Sequence, residues 1–410
     1  TADPSSGTDG ITPVASKNDG TYASGMYFSP LISCFSGGNG HVNFGQRPFS
    51  YTIPTGFKTL CTANLPDPAI KLPNKHFDTL LWTGNGSDGH AITGLDFQPD
   101  WVWIKSRSVG VAHFIVDSLR KSGSNFLKMA TSGTSAEVDA SDRFTSIDSN
   151  GFTLPSGGTF TNGNGSTYVG WNWNAGGSTV TNTDGTISTQ VRANPTAGFS
   201  IVTYTGTGSA GTIGHGLGVV PDTIITKTRN ATGNWTVYNK NLDHASSTSH
   251  RVLRLNNTAA QTGSSALYYG NDPTSSVQHL AAYTDSNQSS ETYVAYCFSE
   301  VAGYSKFGSY TGNGNADGTF VFTGFKPAFV ITRGLNGTNW YMYDNKRNTG
   351  NVVNKELNPN NTQTEATFTT LDFLSNGFKL RSNNSAFNYN NYNYIYIAFA
   401  ESPFKNSRAR

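Results

Sequence analysis

"YTGTGSAGTIGHGLGVVPD" runs from Tyr204 to Asp222, and the chain writes the same sentence twice more. The other copies are "WTGNGSDGHAITGLDFQPD", Trp82 to Asp100, and "YTGNGNADGTFVFTGFKPA", Tyr310 to Ala328. Each has an aromatic residue, then Thr-Gly-x-Gly, then a proline sixteen residues after the threonine: Thr83 and Pro99, Thr205 and Pro221, Thr311 and Pro327. An alternating apolar strand follows each proline ("DWVWIKSR", "DTIITKTR", "AFVITRGL"), and then a second aromatic strand ("AHFIVDS", "NWTVYNK", "NWYMYDN"). All three copies end on a matching strand, "YVGWNWN", "YVAYCFS" or "YIYIAFA". This aligns Tyr168, Tyr293 and Tyr394; Trp171, Tyr296 and Ile397; and Trp173, Phe298 and Phe399. A repeat held at constant spacing implies homologous units, here of about a hundred residues, the size of a small β-sandwich.

The glycine-rich stretch reads as architecture. Glycine adopts positive φ without steric cost, so Thr-Gly-x-Gly suits a tight reversal between two strands. A phosphate-cradling loop needs a following helix, and for the Walker type a Gly-Lys-Ser/Thr ending. Here a β-rich segment and a proline follow.

Composition agrees with strands. Only 13% of the 410 residues are charged, against 12% aromatic and 45 glycines. Thr, Tyr, Phe, Val and Ile between Gly and Asn clusters favour short strands and turns over long helices. The expected fold class is all-β: tandem antiparallel, jelly-roll-like β-sandwich modules. The expected limits are an N-terminal segment 1–74, repeat 1 at 75–178, a linker at 179–196, repeat 2 at 197–304 and repeat 3 at 305–410. A net charge of +2 with no dense basic cluster argues against a nucleic-acid partner. No apolar run approaches the length of a membrane helix. Cys34, Cys61 and Cys297 have no metal-binding spacing and read as free thiols in cores, in preference to a disulfide between Cys34 and Cys61.

Period two puts Val169, Trp171 and Trp173 on one face of the closing strand, as it does Val294, Tyr296 and Phe298. Such a row is either a sugar-stacking platform or a core between two sheets. Isoleucine at 397 cannot stack flat on a pyranose, so the core reading is favoured. The expected structural core is Trp82, Tyr204, Tyr310, Trp171, Trp173, Phe298, Phe399, Phe114, Trp235 and Trp340. The Lys-x-Arg pairs Lys105/Arg107 and Lys227/Arg229 read as a solvated or edge-protecting face.

Residues 1–74 stand outside the repeat. Their clearest stretch, Leu31 to Pro66, contains Asn43-Phe44-Gly45-Gln46-Arg47-Pro48-Phe49, then Pro54-Thr55-Gly56-Phe57-Lys58 and Asn64-Leu65-Pro66. It resembles the carboxy-terminal end of the SPRY (B30.2-like) domains of tailed-phage virion proteins. The repeats, through "LLWTGNGS", "FQPDWVWIKSRS", "HFIVDSLR" and "YVGWNWN", resemble a module that accompanies such domains in phages of marine bacteria. A whole SPRY sandwich needs more strands than 74 residues hold, so the segment is read as a SPRY-like fragment. The resemblance implies a virion structural protein on the tail or capsid surface, and thus extracellular. It would be a tail fibre, spike or receptor-binding adhesin. Its partners would be other virion proteins and a host-surface glycan or protein, with no membrane insertion. Phage fibres are often homotrimers, which makes a trimer the oligomeric expectation.

No chemistry stands out in the spacing. The glutamates Glu137, Glu291, Glu300, Glu356, Glu365 and Glu401 lie in no recognisable motif. There is no His-x-x-x-His pair and no Gly-x-Ser-x-Gly elbow. The expectation is a non-enzymatic protein without cofactor or metal. Candidate binding residues are loop tyrosines, which offer rigid amphipathic contact area: Tyr389 and Tyr392, and Tyr268 and Tyr269. Alternatives are a capsid decoration or filament subunit, and a carbohydrate-binding array of a secreted glycan-degrading enzyme. The array predicts that matched aromatics lie exposed; the core reading predicts that they are buried.

Overall fold

The strands of each repeat follow from its alternation of aromatic and β-branched residues. In the computed structural model, which describes residues 47–48, 52, 55, 58–59, 61–242, 251–262 and 271–406, the chain is nearly all β with antiparallel sheets. It divides into a unit at Thr1–Pro66 and one at Asp67–Arg410. Most of the SPRY-like stretch, Cys34, Tyr268 and Tyr269 lie outside the described residues. Cys61 is exposed and Cys297 buried, so of these two described cysteines the latter is the core thiol.

All three repeats build the same inner sheet. In repeat 1 the opening strand Phe77–Thr83 pairs with the closing strand Thr167–Trp173. The closing strand pairs with the post-proline strand Trp101–Ser106, and that with the second aromatic strand Phe114–Asp117. Repeat 2 uses Phe199–Thr205, Thr292–Phe298, Thr223–Thr228 and Thr236–Asn239 in the same order. Repeat 3 uses Ser305–Thr311, Asn393–Pro403, Phe325–Gly334 and Trp340–Asp344. A smaller outer sheet covers one face of each, led by His90–Thr93, Gly211–Gly214 and Phe320–Phe322. The segment read as a linker forms strands Val180–Asn182 and Thr189–Asn194, which extend the inner sheet of repeat 2.

The Thr-Gly-x-Gly segment is a crossover between sheets and not a hairpin within one. The strand before it belongs to the inner sheet and the strand after it to the outer. Its anchor is a buried asparagine some 75 residues away in sequence: Asn162, Asn287 or Asn388. The asparagine side chain accepts from the N–H of x (Asn85 3.0 Å, Thr207 2.8 Å, Asn313 3.0 Å). Its backbone carbonyl accepts from the second glycine, Gly86, Gly208 or Gly314. Those glycines have φ near +70°, in the left-handed region (+68°, +72° and +65°). A Cβ on the first glycine would sit 2.2–2.3 Å from a backbone oxygen in every copy. Beside the clamp, Tyr168, Tyr293 and Tyr394 each donate to a carbonyl nine residues back, on Thr159, Thr284 and Ser385. Each also accepts from the N–H five residues back. The opening aromatics Trp82, Tyr204 and Tyr310 stack on those tyrosine rings at interplanar angles of 15°, 15° and 10°.

Tyr204, Tyr310 and Phe114 are buried, and Trp82 half-buried, between the two sheets of their own repeat. Trp171, Trp173, Phe298, Phe399, Trp235 and Trp340 are also buried, but in a different place. They lie on the other face of the inner sheets, in one core shared by all three repeats. The expectation of a core between two sheets of a sandwich is corrected for these six. Rings from different repeats meet there: Trp101 with Tyr296 (4.5 Å), Phe298 with Phe399 (6.0 Å), and Trp173 with Phe399 (5.7 Å). The post-proline strands are therefore buried at every position.

The three seams of this core are cyclically equivalent. Glu137 N–H donates to Arg229 O (2.7 Å), Glu365 to Arg107 (2.9 Å) and Gln261 to Leu335 (2.9 Å), each from one repeat to the next. Trp235 Nε1 of repeat 2 donates to Ala130 O of repeat 1, and Trp340 Nε1 of repeat 3 to Arg254 O of repeat 2. In repeat 1 the position is His113. Burial, with Lys105 and Arg347 nearby, pushes its pKa far down, so the ring is neutral and Nδ1 accepts from Trp103 Nε1 (2.9 Å).

Two seams carry a buried ion cluster. Between repeats 1 and 2, Arg120 bonds Asp117 (2.5 Å) and Glu137 (3.2 Å); Arg229 bonds Glu137 (2.8 Å), and Tyr296 Oη donates to Asp117 (2.7 Å). Between repeats 3 and 1, Arg347 bonds Asp344 (2.5 Å) and Glu365 (3.4 Å); Arg107 bonds Glu365 (2.8 Å), and Trp171 Nε1 donates to Asp344 (3.1 Å). At the third seam the equivalent positions are Asn239, Leu242, Gln261, Leu335 and Ile397. None of these five positions carries a charge. That is the expected outcome if breaking such a cluster singly leaves an unpaired buried ion, whereas replacing it whole does not.

The Lys-x-Arg pairs are likewise not solvated. Lys105 and Lys227 share the face of Trp103 and Ile225, are fully buried, and donate to the backbone carbonyls of Ser106 (2.8 Å) and Thr228 (2.6 Å). Burial lowers both ammonium groups to about 8.

Two tests follow from the seams. Arg120→Leu alone is expected to cost about 3–5 kcal/mol by leaving Asp117 and Glu137 unpaired. Copying the third seam, with Asp117→Asn, Arg120→Leu, Glu137→Gln, Arg229→Leu and Tyr296→Ile together, should recover most of that loss, read from denaturant midpoints. The lysines predict a pH effect. From about pH 8 to the ordinary lysine value near 10.4 the unfolded chain binds more protons than the folded one. Their contribution to stability therefore rises with pH across that window. Between pH 7.5 and 9.5 the wild type should gain stability relative to the Lys105→Met/Lys227→Met variant, measured by urea unfolding of both.

Candidate functional site

An opening with convergent polar groups lies in repeat 3, beside the seam with repeat 1. It is a groove of about 820 Å³. Tyr341 comes from the second aromatic strand, and Glu356 from the next strand, Val353–Glu356, with Asn358 just beyond. Gln363, Thr364, Ala366, Phe368 and Thr369 form one wall. Ser382, Asn384, Ala386 and Phe387, from the segment leading to the Asn388 clamp, form the other. Gly110 of repeat 1 contributes to the rim.

The sequence places these groups by simple means. Strand Ala366–Leu374 is buried over its second half only, so its first residues stand clear of the sheet and hold Phe368 57% exposed. Glu365 within this wall is anchored by Arg107 and Arg347, so the seam cluster also fixes the groove. Glu356 is buried, and Tyr343 Oη donates to it (2.7 Å). Burial raises its carboxyl pKa, against the hydrogen bonds from Tyr343 and Asn358 and the charge of Arg347. Tyr341 is likewise raised, by burial and then by Glu356. Asn358 Nδ2 is held by Trp340 O (2.8 Å), and Phe387 meets Tyr341 edge-on at 4.9 Å. The lining is thus amide, hydroxyl, one carboxylate and an exposed phenyl face.

Repeat 1 has a cavity at the equivalent place, but smaller, about 260 Å³, and mostly apolar. There Ala130 stands for Asn358, Val138 for Ala366 and Phe160 for Ala386. The Arg143 guanidinium covers the Phe160 ring at 4.8 Å. In repeat 2 the positions of Asn358 and Ala386 are Arg254 and Asp285, which pair at 2.6 Å.

Of the tyrosines singled out from sequence, Tyr389 and Tyr392 are exposed, 47% and 40%, and pack on each other at 4.5 Å. They follow the Asn388 clamp and are not among the residues that line the groove. Sequence reading missed Glu356, Asn358, Phe368 and Asn384. The available signal was comparison across repeats: small Ala386 stands where the other copies have Phe160 and Asp285. Among the described residues, no three His, Cys, Asp or Glu side chains cluster as a metal site. Asp317, in the stretch "NGNADG", is paired with Lys379 (2.9 Å).

No curated protein and no solved structure matches the chain. Residues 72–403, which span all three repeats and the shared core, match the family described as a domain of unknown function, DUF7483, and the chain belongs to that family.

Proposed function

We propose that this chain is a non-enzymatic structural protein of a bacteriophage particle, a tail fibre or spike component that attaches to the host surface. The observation that carries this reading is the three-repeat body itself. One aromatic core and three seams lock the repeats together, while their outer ends and loops stay open to vary. Such a body holds a contact surface in place and has no use for a reactive centre. The resemblance of its repeats and of "NFGQRPF" to phage virion modules supplies the setting. Placement on the tail or capsid surface, other virion proteins as neighbours and a homotrimer belong to the same proposal.

A capsid decoration is the second reading, favoured by the pseudo-threefold seams, which suit a seat on a symmetry axis. The carbohydrate-binding array is disfavoured, because the matched residues Trp171, Tyr296 and Ile397 are buried.

Immunogold labelling of intact particles with antibody against the purified chain tests this. Gold on the tail, together with blocked adsorption to host cells, is expected. Gold confined to the capsid would move the reading to decoration, and bare particles would overturn both.

A further inference from the structure

We infer that the groove of repeat 3 is a binding site for a neutral saccharide. Three equivalent positions exist in one chain, so the repeats act as controls for one another. At the position of Ala386, repeat 1 inserts Phe160 beneath Arg143, and repeat 2 inserts Asp285 paired with Arg254. Only repeat 3 combines a small residue there with a polar lining, and its groove has about three times the volume of that in repeat 1. Its 820 Å³ falls within the range of about 300–1,000 Å³ usual for small-molecule sites.

The lining chemistry selects the ligand. A sugar presents vicinal hydroxyls, each both donor and acceptor, around an apolar C–H face. Planar amides answer the hydroxyls with paired donors and acceptors. Asn339, Gln363 and Asn384 supply amide N–H donors, their side-chain oxygens already accepting from Asn360, Asn361 and Ala386, and Glu356 adds an acceptor. The exposed Phe368 ring offers a flat apolar surface of the kind a pyranose face covers. No cation is among the residues lining the groove. Glu356 is the charged side chain in the lining, so an acidic sugar would meet like charge there, which builds in discrimination against it. The wall is also pre-organised, since Glu365 is fixed from two sides by Arg107 and Arg347.

This deepens the attachment reading by naming its ligand, yet the two can fail separately. Titration calorimetry of the purified chain would use neutral hexose and N-acetylhexosamine trisaccharides, and oligogalacturonate and sialyllactose as acidic probes. At least one neutral trisaccharide should bind, with the acidic probes tenfold or more weaker. Phe368→Ala should weaken binding about two- to tenfold. Ala386→Phe, which copies repeat 1, should abolish it, and both variants should keep the wild-type melting temperature. Failure of every neutral probe, equal binding of acidic ones, or indifference to both substitutions would overturn the saccharide site. Saccharide binding by a chain absent from particles would leave the site standing and remove the attachment reading.

Discussion

Burial of both faces of three antiparallel sheets is the constraint on which the molecule depends. An antiparallel sheet ordinarily leaves one face to water. Here the outer sheet of each repeat covers one face and the other two repeats cover the second. Neither half of the arrangement stands alone. Separate the repeats, and Trp101, Trp103, Trp171 and Trp173 would face solvent as one contiguous apolar surface, a liability for any monomeric domain. The repeats are thus one body in three parts, and not beads on a string.

The seams show how such a body diverges after triplication. Two keep the same Asp–Arg–Glu–Arg cluster; the third has lost each member and replaced it by an amide or a leucine. A half-dismantled cluster strands a charge in low dielectric, so intermediates are costly and the endpoints are not. The backbone bond at the seam, which depends on no side chain, survives in all three.

Variation in function rides on that framework. The clamp that holds Thr-Gly-x-Gly to a buried asparagine also fixes the segment whose preceding residues wall the groove. In three copies the same scaffold gives a narrow apolar slot, an ion pair and a polar groove. Change at one or two positions above a fixed floor suffices, because neither the clamp nor the seam needs to move.

Much of this was legible without coordinates. Repeat period, strand identity and the matching of Tyr168 with Tyr293 and Tyr394 follow from spacing. The expectation that glycine serves turns was sound, but not the kind of turn: the partner asparagine lies too far along the chain for a local pattern to reveal. Alternation assigned Trp171 and Trp173 to one face, and isoleucine at 397 argued against an open platform. Alternation could not say what covers that face. Lys105 and Lys227 were read as solvated for the same reason: a strand pattern reports which side chains share a side, whereas burial depends on what packs there. The sequence by itself thus determined the all-β class, the triplication and the aromatic rows, because these are set by local geometry and period. The shared core, the ion seams and the groove were decided only by the tertiary structure, because each is made by residues of different strands or repeats that no local period connects.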